Sequence, residues 1–437
     1  MIDIKGKKIT IIGAQRSGKA LTELALRLEG IPRISELKPE KDIDADLVQW
    51  FRQNRLAMEF NGQTREFIED SDIVVLSPGV SVHSAAVQWA TLRNIPVLGE
   101  IEFAFQFCHK PVIAVTGSNG KTTVSTLINL VLTKAGYRSI LCGNVGFPFS
   151  QFVFNLADKD FIVVEMSSFQ LESLLEPQST FRTSSHNGRW SFRGFKPHIA
   201  VMLNLSQNHL DRHKDLNEYY EAKKRIFLNQ EESDFAVLNY QNSLLRSWAN
   251  DIKSKAVFFG ANTQTKILNE NYAAVMKVAD ILGVSEELCQ KVFDHFKGVE
   301  HRLEWVRSIK GVEYINDSKS TTAEATRWAL TRMEHPVILL CGGRDKNIDF
   351  SVLKELVQKK VKSMIVFGEA RTKIKNTFAE VVKIEECRSL EEAVASAQHT
   401  AQTGDCVVLS PMCASFDMFR NFEERGKRYK EIVNQLN

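Results

Sequence analysis

Short apolar runs alternate with helical patterns along nearly the whole chain, which predicts α/β layers around largely parallel sheets. In the first hundred residues Ile9–Ile12, Ile73-Val74-Val75-Leu76 and Ile95-Pro96-Val97-Leu98 read as strands, and Ser77-Pro78-Gly79-Val80 as a turn at a strand end. The run Val112-Ile113-Ala114-Val115 follows, then a polar loop and the helical pattern from Val124 to Leu132. Three more runs end in polar residues: Ile140-Leu141-Cys142-Gly143-Asn144, Phe161-Ile162-Val163-Val164-Glu165 and Ile199-Ala200-Val201-Met202-Leu203-Asn204. Asn144, Glu165 and Asn204 are therefore expected to crowd one sheet edge, at the C-terminal strand ends where open α/β sheets gather ligands. A break is expected after Phe296-Lys297-Gly298. The same pattern then resumes in Val337–Gly343, Met364–Gly368 and Cys406–Pro411.

Composition narrows the class. The 437 residues, 43% hydrophobic and 25% charged, suit a globular protein of about two to four domains. A net charge of +3 gives no general reason to expect nucleic acid or an anionic membrane as partner. No apolar stretch approaches the roughly 20 residues that span a bilayer, and the N-terminus runs into a strand without a signal-peptide layout. The seven cysteines are dispersed, without metal-ligand spacing, as expected of free thiols in a reducing cytoplasm.

Two loops carry phosphate-binding patterns. Thr116-Gly117-Ser118-Asn119-Gly120-Lys121-Thr122-Thr123 lies between a strand and a helix, where backbone N–H groups and the helix dipole converge on an anion. Lys121 is placed to reach the β/γ-phosphates and Thr122 to hold Mg²⁺, although Val115 stands where the usual pattern has its first glycine. The second loop, Gly13-Ala14-Gln15-Arg16-Ser17-Gly18-Lys19-Ala20, has the full glycine spacing, but Ala20 replaces the metal-binding hydroxyl. The first reads as the Mg-nucleotide site. The second reads as a site for another phosphate-bearing ligand, or as an ordinary tight turn. Glu165 at a strand end and His209 in Asn208-His209-Leu210-Asp211-Arg212-His213 join Thr122 as a plausible Mg²⁺ set beside phosphates.

At this point the residues resemble a known family. Thr116–Thr123 is similar to the ATP loop of the Mur ligases and of folylpolyglutamate synthase. Further matches are Gly143-Asn144-Val145-Gly146, Glu165–Leu171, His209–His213, His301-Arg302-Leu303-Glu304 and Asn316-Asp317-Ser318-Lys319-Ser320-Thr321. The stretch Leu409–Asp417, with Asn421-Phe422-Glu423-Glu424-Arg425-Gly426, resembles the D-glutamate-adding branch.

The resemblance implies the three-domain Mur ligase architecture. Residues 1–104 would form a Rossmann-like domain for a UDP-sugar substrate, 105–298 a central P-loop ATPase-like domain, and 299–437 a Rossmann-like domain for the incoming amino acid. The implied activity is an ATP-dependent amide ligation of peptidoglycan synthesis, joining D-glutamate to UDP-N-acetylmuramoyl-L-alanine through an acyl phosphate. A cytoplasmic monomer is expected, with small-molecule substrates and neither nucleic acid nor membrane as partner. The catalytic set carried over is Lys121, Glu165, His209 and Lys223. Thr122, Glu165, His209 and Lys223 match metal positions, with two Mg²⁺ ions and a carbamate on Lys223 expected. ATP contacts match Gly117, Ser118, Asn119, Gly120, Lys121, Thr122, Thr123, Asn271, Arg302 and Asp317. UDP-substrate contacts match Arg16, Ser17, Ser77, Gly79, Asn144 and His209, with Ser35–Lys38 a weaker candidate. D-glutamate contacts match Lys319, Thr321, Lys346, Ser415 and the backbone of Phe422. Read without the family, Lys223 would be a solvated helix residue.

Three departures stand out. Asn208 replaces the Asp usual before the metal-site His. The segment Gly260–Leu268 is short and lacks the family's His-Asn pair, so the adenine wall must differ. An insertion at 181–198 interleaves Arg182, Arg189, Arg193 and Lys196 with His186, Trp190, Phe192 and Phe195. It reads as a mobile surface loop, with a flank of the UDP-sugar site or a partner surface as the alternative. Another ligase of this superfamily, or a nucleotide-binding switch without ligase activity, remains the competing reading of the whole chain.

Overall fold

The computed structural model describes residues 2–144, 146–176, 180–182, 189–206, 213–260, 269–296, 298–345 and 348–437. The chain divides into two compact units, Met1–His295 and Phe296–Asn437, close to the break expected after Gly298. Among the described residues no helix is long and apolar enough to cross a membrane.

The first unit contains two parallel sheets. Strands β1 (Lys8–Ile12), β2 (Ile31–Ser35), β3 (Ala57–Glu59), β4 (Ile73–Leu76) and β5 (Val97–Gly99) lie in the order 3-2-1-4-5. The order reverses at β1 and β4, which opens a crevice beyond Ile12 and Leu76. Strands β6 (Val112–Thr116), β7 (Ser139–Gly143), β8 (Phe161–Glu165), β11 (Ile199–Met202), β12 (Phe235–Asn239) and β13 (Lys255–Phe259) form the second sheet, ordered 13-12-11-6-8-7. Between β8 and β11 the chain makes an antiparallel hairpin of β9 (Thr180–Arg182) and β10 (Arg189–Ser191). In the second sheet β6 is central, paired with β8 on one side and β11 on the other, so its C-terminal loop faces both neighbours' ends. All five residues of β6 are buried.

One apolar core runs through both sheets. Ile101, Phe103, Ala104 and Phe105 of the connecting helix Glu100–Phe105 belong to it, together with Ile11 and Val75 of the first sheet and Val112 and Val164 of the second. The boundary expected between residues 104 and 105 falls within this buried helix. Burying four such side chains contributes roughly 1.5–3 kcal/mol for each larger one, which fastens the two sheets together.

The C-terminal part of the 181–198 insertion, from Phe192 onward, is packed rather than the mobile surface loop expected. Residues 183–188 lie outside the described part, but Phe192 and Phe195 are buried, and Phe195 meets Phe105 edge-on at 5.2 Å. The Arg193 guanidinium stacks over Phe105 and donates to the carbonyls of Phe105 and Cys108, both at 2.7 Å. Lys196 pairs with Glu231 at 2.7 Å. These basic and aromatic residues weld the connecting helix to the second sheet, because a helix C-terminus leaves carbonyls that the Arg193 guanidinium, itself on an exposed residue, satisfies.

The second unit has one six-stranded sheet: β14 (Glu304–Ile309), β15 (Val312–Asn316), β16 (Val337–Gly342), β17 (Val361–Phe367), β18 (Lys383–Glu386) and β19 (Cys406–Leu409), ordered 14-15-19-16-17-18. Only β14 is antiparallel to its neighbour in this sheet. Apolar clusters cover both faces, and Tyr314, Phe367 and Tyr429 are fully buried. Its order reverses between β19 and β16, at Leu409 and Gly342.

Candidate active site

The crevice of the first sheet is shaped by small residues. Gly13 takes a φ of +102°, and a Cβ there would stand 2.9 Å from Ser77 Cβ, so only glycine lets the two loops approach. Ser77 Oγ donates to the Gly13 carbonyl at 3.2 Å. The neighbouring amide of Ala14 is already used, donating to the buried Glu36 carboxylate at 2.8 Å. Arg16 and Ser17 open the helix Arg16–Arg27, whose first turn holds no acidic side chain and whose N-cap makes no side-chain hydrogen bond. Gly79 is exposed, with open space where a Cβ would point. Asn144 lies beyond β7 in the other sheet, yet its loop reaches this crevice because Arg16 stacks on Phe147 at 4.4 Å.

The second sheet carries the phosphate loop. Gly117 and Gly120 hold φ values of +153° and +82°, and a Cβ on Gly120 would stand 2.4 Å from Asn271 Oδ1. Asn271, remote in sequence, thus lies against the loop. Ser118 Oγ donates to the Ser206 carbonyl and accepts from the Ser206 amide, both at 2.9 Å. The Asn119 amide donates to Asn204 Oδ1 at 2.9 Å, which puts the polar end of β11 to structural use. Lys121 Nζ folds back onto the carbonyls of Gly117 and Ser118, at 2.9 and 3.0 Å. Thr122 is buried in the first turn of the helix Lys121–Lys134, with Thr123 beside it.

Glu165 is 1% exposed at the end of β8. Its Oε1 accepts from Asn144 Nδ2 at 2.7 Å, while Oε2 is buried without a hydrogen-bond partner among the described residues. A buried carboxylate oxygen with nothing to bind is costly unless a cation or donor fills the place. That oxygen and the Thr122 hydroxyl are hard donors that fit Mg²⁺.

Lys223 is not solvated. It is 1% exposed, donates to the Gly117 carbonyl at 2.9 Å, and sits 4.8 Å over the Tyr219 ring one turn earlier in the helix Leu216–Lys224. Burial, then the Lys121 charge, push its pKa well below the usual lysine range, against the opposing pull of Glu165. Tyr219 is a residue that sequence reasoning missed. Its buried phenol donates to Ser118 Oγ at 3.2 Å, and its ring lies 5.2 Å from His213. Burial pushes its pKa up to about 12. The only sequence signal was an aromatic four residues before Lys223. His213 links the same region to the helix Ser168–Glu172, through Ser168 Oγ at 3.0 Å and Glu172 at 3.3 Å.

In the second unit, buried Asp317 accepts from Ser410 Oγ at 2.8 Å and the Leu303 amide at 3.2 Å. Desolvation pushes its pKa up to about 6. Arg302 stacks on Trp328 at 5.9 Å. Lys319 lies over the Phe422 ring at 5.9 Å, and the Phe422 carbonyl accepts from Ser318 at 2.8 Å. Thr321 is half-buried and follows directly. Fully buried Arg425 ties Ser318 to the Cys413 carbonyl and so fixes the loop of Ser415, itself 2% exposed. The structure thus brings Lys319, Phe422 and the Ser415 loop into one network with Arg425, whose own role was not read from sequence. His209, Lys346, Asn208 and residues 261–268 lie outside the described residues.

Comparison with known proteins bears on this arrangement. The Mur ligase middle domain matches residues 115–293, and the Mur ligase glutamate ligase domain matches residues 301–413. The UDP-N-acetylmuramoylalanine–D-glutamate ligase of Thermoanaerobacter sp. (strain X514) is 35% identical over 471 aligned positions, covering 100% of both chains. The chain belongs to the Mur ligase family. The ligase of the same name from Pelodictyon phaeoclathratiforme is also 35% identical, covering 100% of this chain and 99% of its own. Among solved Mur ligases, the UDP-N-acetylmuramate–alanine ligase of Thermotoga maritima shares the fold with a TM-score of 0.56 at 15% identity, covering 98% of this chain and 99% of its own. The MurF ligase of the same organism, solved with ADP, also gives 0.56 at 15% identity, over 99% of this chain and 95% of its own. As a Mur ligase, the chain is an ATP-dependent amide ligase of α/β architecture.

Proposed function

We propose that this Mur ligase joins D-glutamate to UDP-N-acetylmuramoyl-L-alanine, with conversion of ATP to ADP and phosphate, in the cytoplasmic stage of peptidoglycan synthesis. The observation that carries the reading is its full-length identity of about 35% to ligases named for that reaction. In the division of labour that follows, residues 1–104 take the UDP-sugar, 105–298 ATP, and 299–437 D-glutamate, in a protein acting as a monomer.

The substrate carboxylate oxygen attacks the γ-phosphorus and ADP leaves, forming an acyl phosphate. The D-glutamate amine then attacks the acyl carbon, loses a proton, and phosphate departs with the former carboxylate oxygen. Both partners in the first step are anions, so positioning and charge neutralisation must do most of the catalysis. The Ser118 and Asn119 amides donate to Asn204, so the amides that open the helix Lys121–Lys134 would receive the phosphate oxygens, and Lys121 would turn to them from the two loop carbonyls on which it now rests. Thr122 and Glu165 would hold Mg²⁺, which supplies charge neutralisation between phosphates and carboxylate. Lys223, with its depressed pKa, is neutral at a pH where ordinary lysines are charged, the state in which an amine can add CO₂ and lose a proton to become a carbamate. The carbamate would be a further anionic metal ligand. Asp317 and Arg302 serve ATP; Lys319, Thr321 and the Ser415–Phe422 segment serve the two D-glutamate carboxylates.

Phosphate release in the presence of UDP-N-acetylmuramoyl-L-alanine, ATP, Mg²⁺ and a panel of amino acids tests the assignment. D-glutamate should give the fastest turnover. Faster turnover with L-glutamate or meso-diaminopimelate, or with a folate in place of the UDP-sugar, would sink it. Lys121→Ala should abolish turnover while leaving UDP-substrate binding nearly intact; loss of both would mean that the two phosphate sites are wrongly divided.

A further inference from the structure

Arg16 is stacked but chemically idle. Its guanidinium carbon lies 4.4 Å from the Phe147 ring centroid, and among the described residues it makes no hydrogen bond or ion pair. Two other stacked arginines are already committed to the protein. Arg33, over Phe67, bonds Asp70 and the Phe67 carbonyl; Arg193, over Phe105, bonds two carbonyls. Stacking on a ring uses only the face of the guanidinium, so the in-plane N–H donors of Arg16 stay available for phosphate oxygens. Phe147 is itself 45% exposed, and its outward face is occupied by this cation rather than by core.

The ring is held from behind. Phe147 meets Phe152 edge-on at 6.0 Å, and its carbonyl accepts from the Gly143 amide at 2.9 Å, closing the loop 143–147. That loop also carries Asn144, which bonds Glu165. One short turn of the second sheet therefore touches both the candidate metal carboxylate and Arg16, the residue that opens the helix Arg16–Arg27.

We propose that Phe147 is a positioning residue for the UDP substrate: its ring holds the Arg16 guanidinium ready, donors outward, for the diphosphate at the crevice of the first sheet. The inference rests on the reading that this crevice takes the UDP-sugar. Arginine is flexible, and ordering it only on binding costs affinity that a pre-stacked guanidinium retains. An exposed cation–π contact of this kind corresponds to about a two- to fivefold change in binding.

The fold supplies its own control. Three turns along the same helix, Arg27 lies over Phe154 at 5.2 Å, and Phe154 is 39% exposed. This pair has the same chemistry but stands at the opposite end of the helix from the crevice.

The test is a double-mutant cycle on the full chain, reading KM for UDP-N-acetylmuramoyl-L-alanine at saturating ATP and D-glutamate. Phe147→Ala should raise that KM about two- to fivefold while kcat and the KM for ATP hold, and Phe147→Tyr should restore it. Arg16→Ala should raise KM at least as much, and the double variant no more than Arg16→Ala alone. Phe154→Ala should leave KM unchanged. A normal KM in Phe147→Ala beside a raised one in Arg16→Ala overturns the positioning role alone. Additive effects, or an equal rise in Phe154→Ala, also overturn it. A normal KM in Arg16→Ala would remove both this inference and the assignment of the crevice to the UDP substrate.

Discussion

Replacing Gly120 by Ala should disable ATP binding through two costs that the structure separates. Gly120 sits at φ +82°, and a left-handed alanine costs about 1–2 kcal/mol. The new Cβ would also stand 2.4 Å from Asn271 Oδ1 and 3.4 Å from Leu203 Cδ1. Swinging Asn271 off its rotamer adds about 0.5–1.5 kcal/mol. The loop escapes this strain by moving away from Asn271, and the amide cradle must then be rebuilt each time ATP binds. If about 2 kcal/mol of the sum falls on the bound state, KM for ATP rises roughly 30-fold. Gly136 isolates the backbone part: φ is +91°, it follows the same helix, and its Cβ would meet nothing within 4 Å. Gly136→Ala should lose about 1 kcal/mol in denaturant unfolding with no change in KM. Steady-state kinetics with ATP as the varied substrate provide the assay. An unchanged ATP KM in Gly120→Ala, or equal kinetic effects in the two variants, would refute the argument.

Other expectations follow from burial. Because the folded pKa of Lys223 is depressed, the unfolded chain binds more protons between that value and about 10.4, so wild-type stability rises with pH there. Lys223→Met should remove that slope, raise Tm at pH 7 and abolish turnover; thermal scans from pH 7 to 10 and a phosphate assay check it. Glu102 has the opposite sign: burial pushes its pKa up to about 8, so its contribution is present at low pH and lost as pH rises from about 4.5 to 8. Glu102→Gln should therefore gain stability relative to wild type as pH increases from 5 to 9 in matched Tm measurements. Arg193→Ala should cost about 1–2 kcal/mol, because the Phe105 and Cys108 carbonyls lose a charged donor that solvent replaces only in part, while all three KM values stay unchanged.

Much of this was legible in sequence because parallel strands buried on both faces appear as unbroken apolar runs. Val112–Val115, Phe161–Val164, Val337–Cys341 and Cys406–Leu409 left little doubt, and the glycines of the phosphate loop marked its turn. Edge strands such as β3 and β18 were harder, since Ala57-Met58-Glu59 and Lys383-Ile384-Glu385-Glu386 carry polar residues toward solvent. Burial of Lys223 was invisible because its helix, Leu-Asn-Glu-Tyr-Tyr-Glu-Ala-Lys-Lys, is charged along its length, and what hides one side, the end of β6 and the helix Ser168–Glu172, is remote in sequence. The insertion failed for a related reason. Its arginines and phenylalanines have the composition of a sticky surface, but Arg193 finds helix-end carbonyls and Phe195 finds Phe105, partners nearly ninety residues away that local pattern does not contain.

The central claim is D-glutamate ligation through an acyl phosphate, and one isotope measurement tests it most directly. UDP-N-acetylmuramoyl-L-alanine labelled with ¹⁸O in the alanyl carboxylate is turned over with ATP, Mg²⁺ and D-glutamate, and the products are weighed by mass spectrometry. The account predicts one ¹⁸O in the released phosphate for each D-glutamyl product formed. Unlabelled phosphate, or phosphate released at the same rate without D-glutamate, would contradict it.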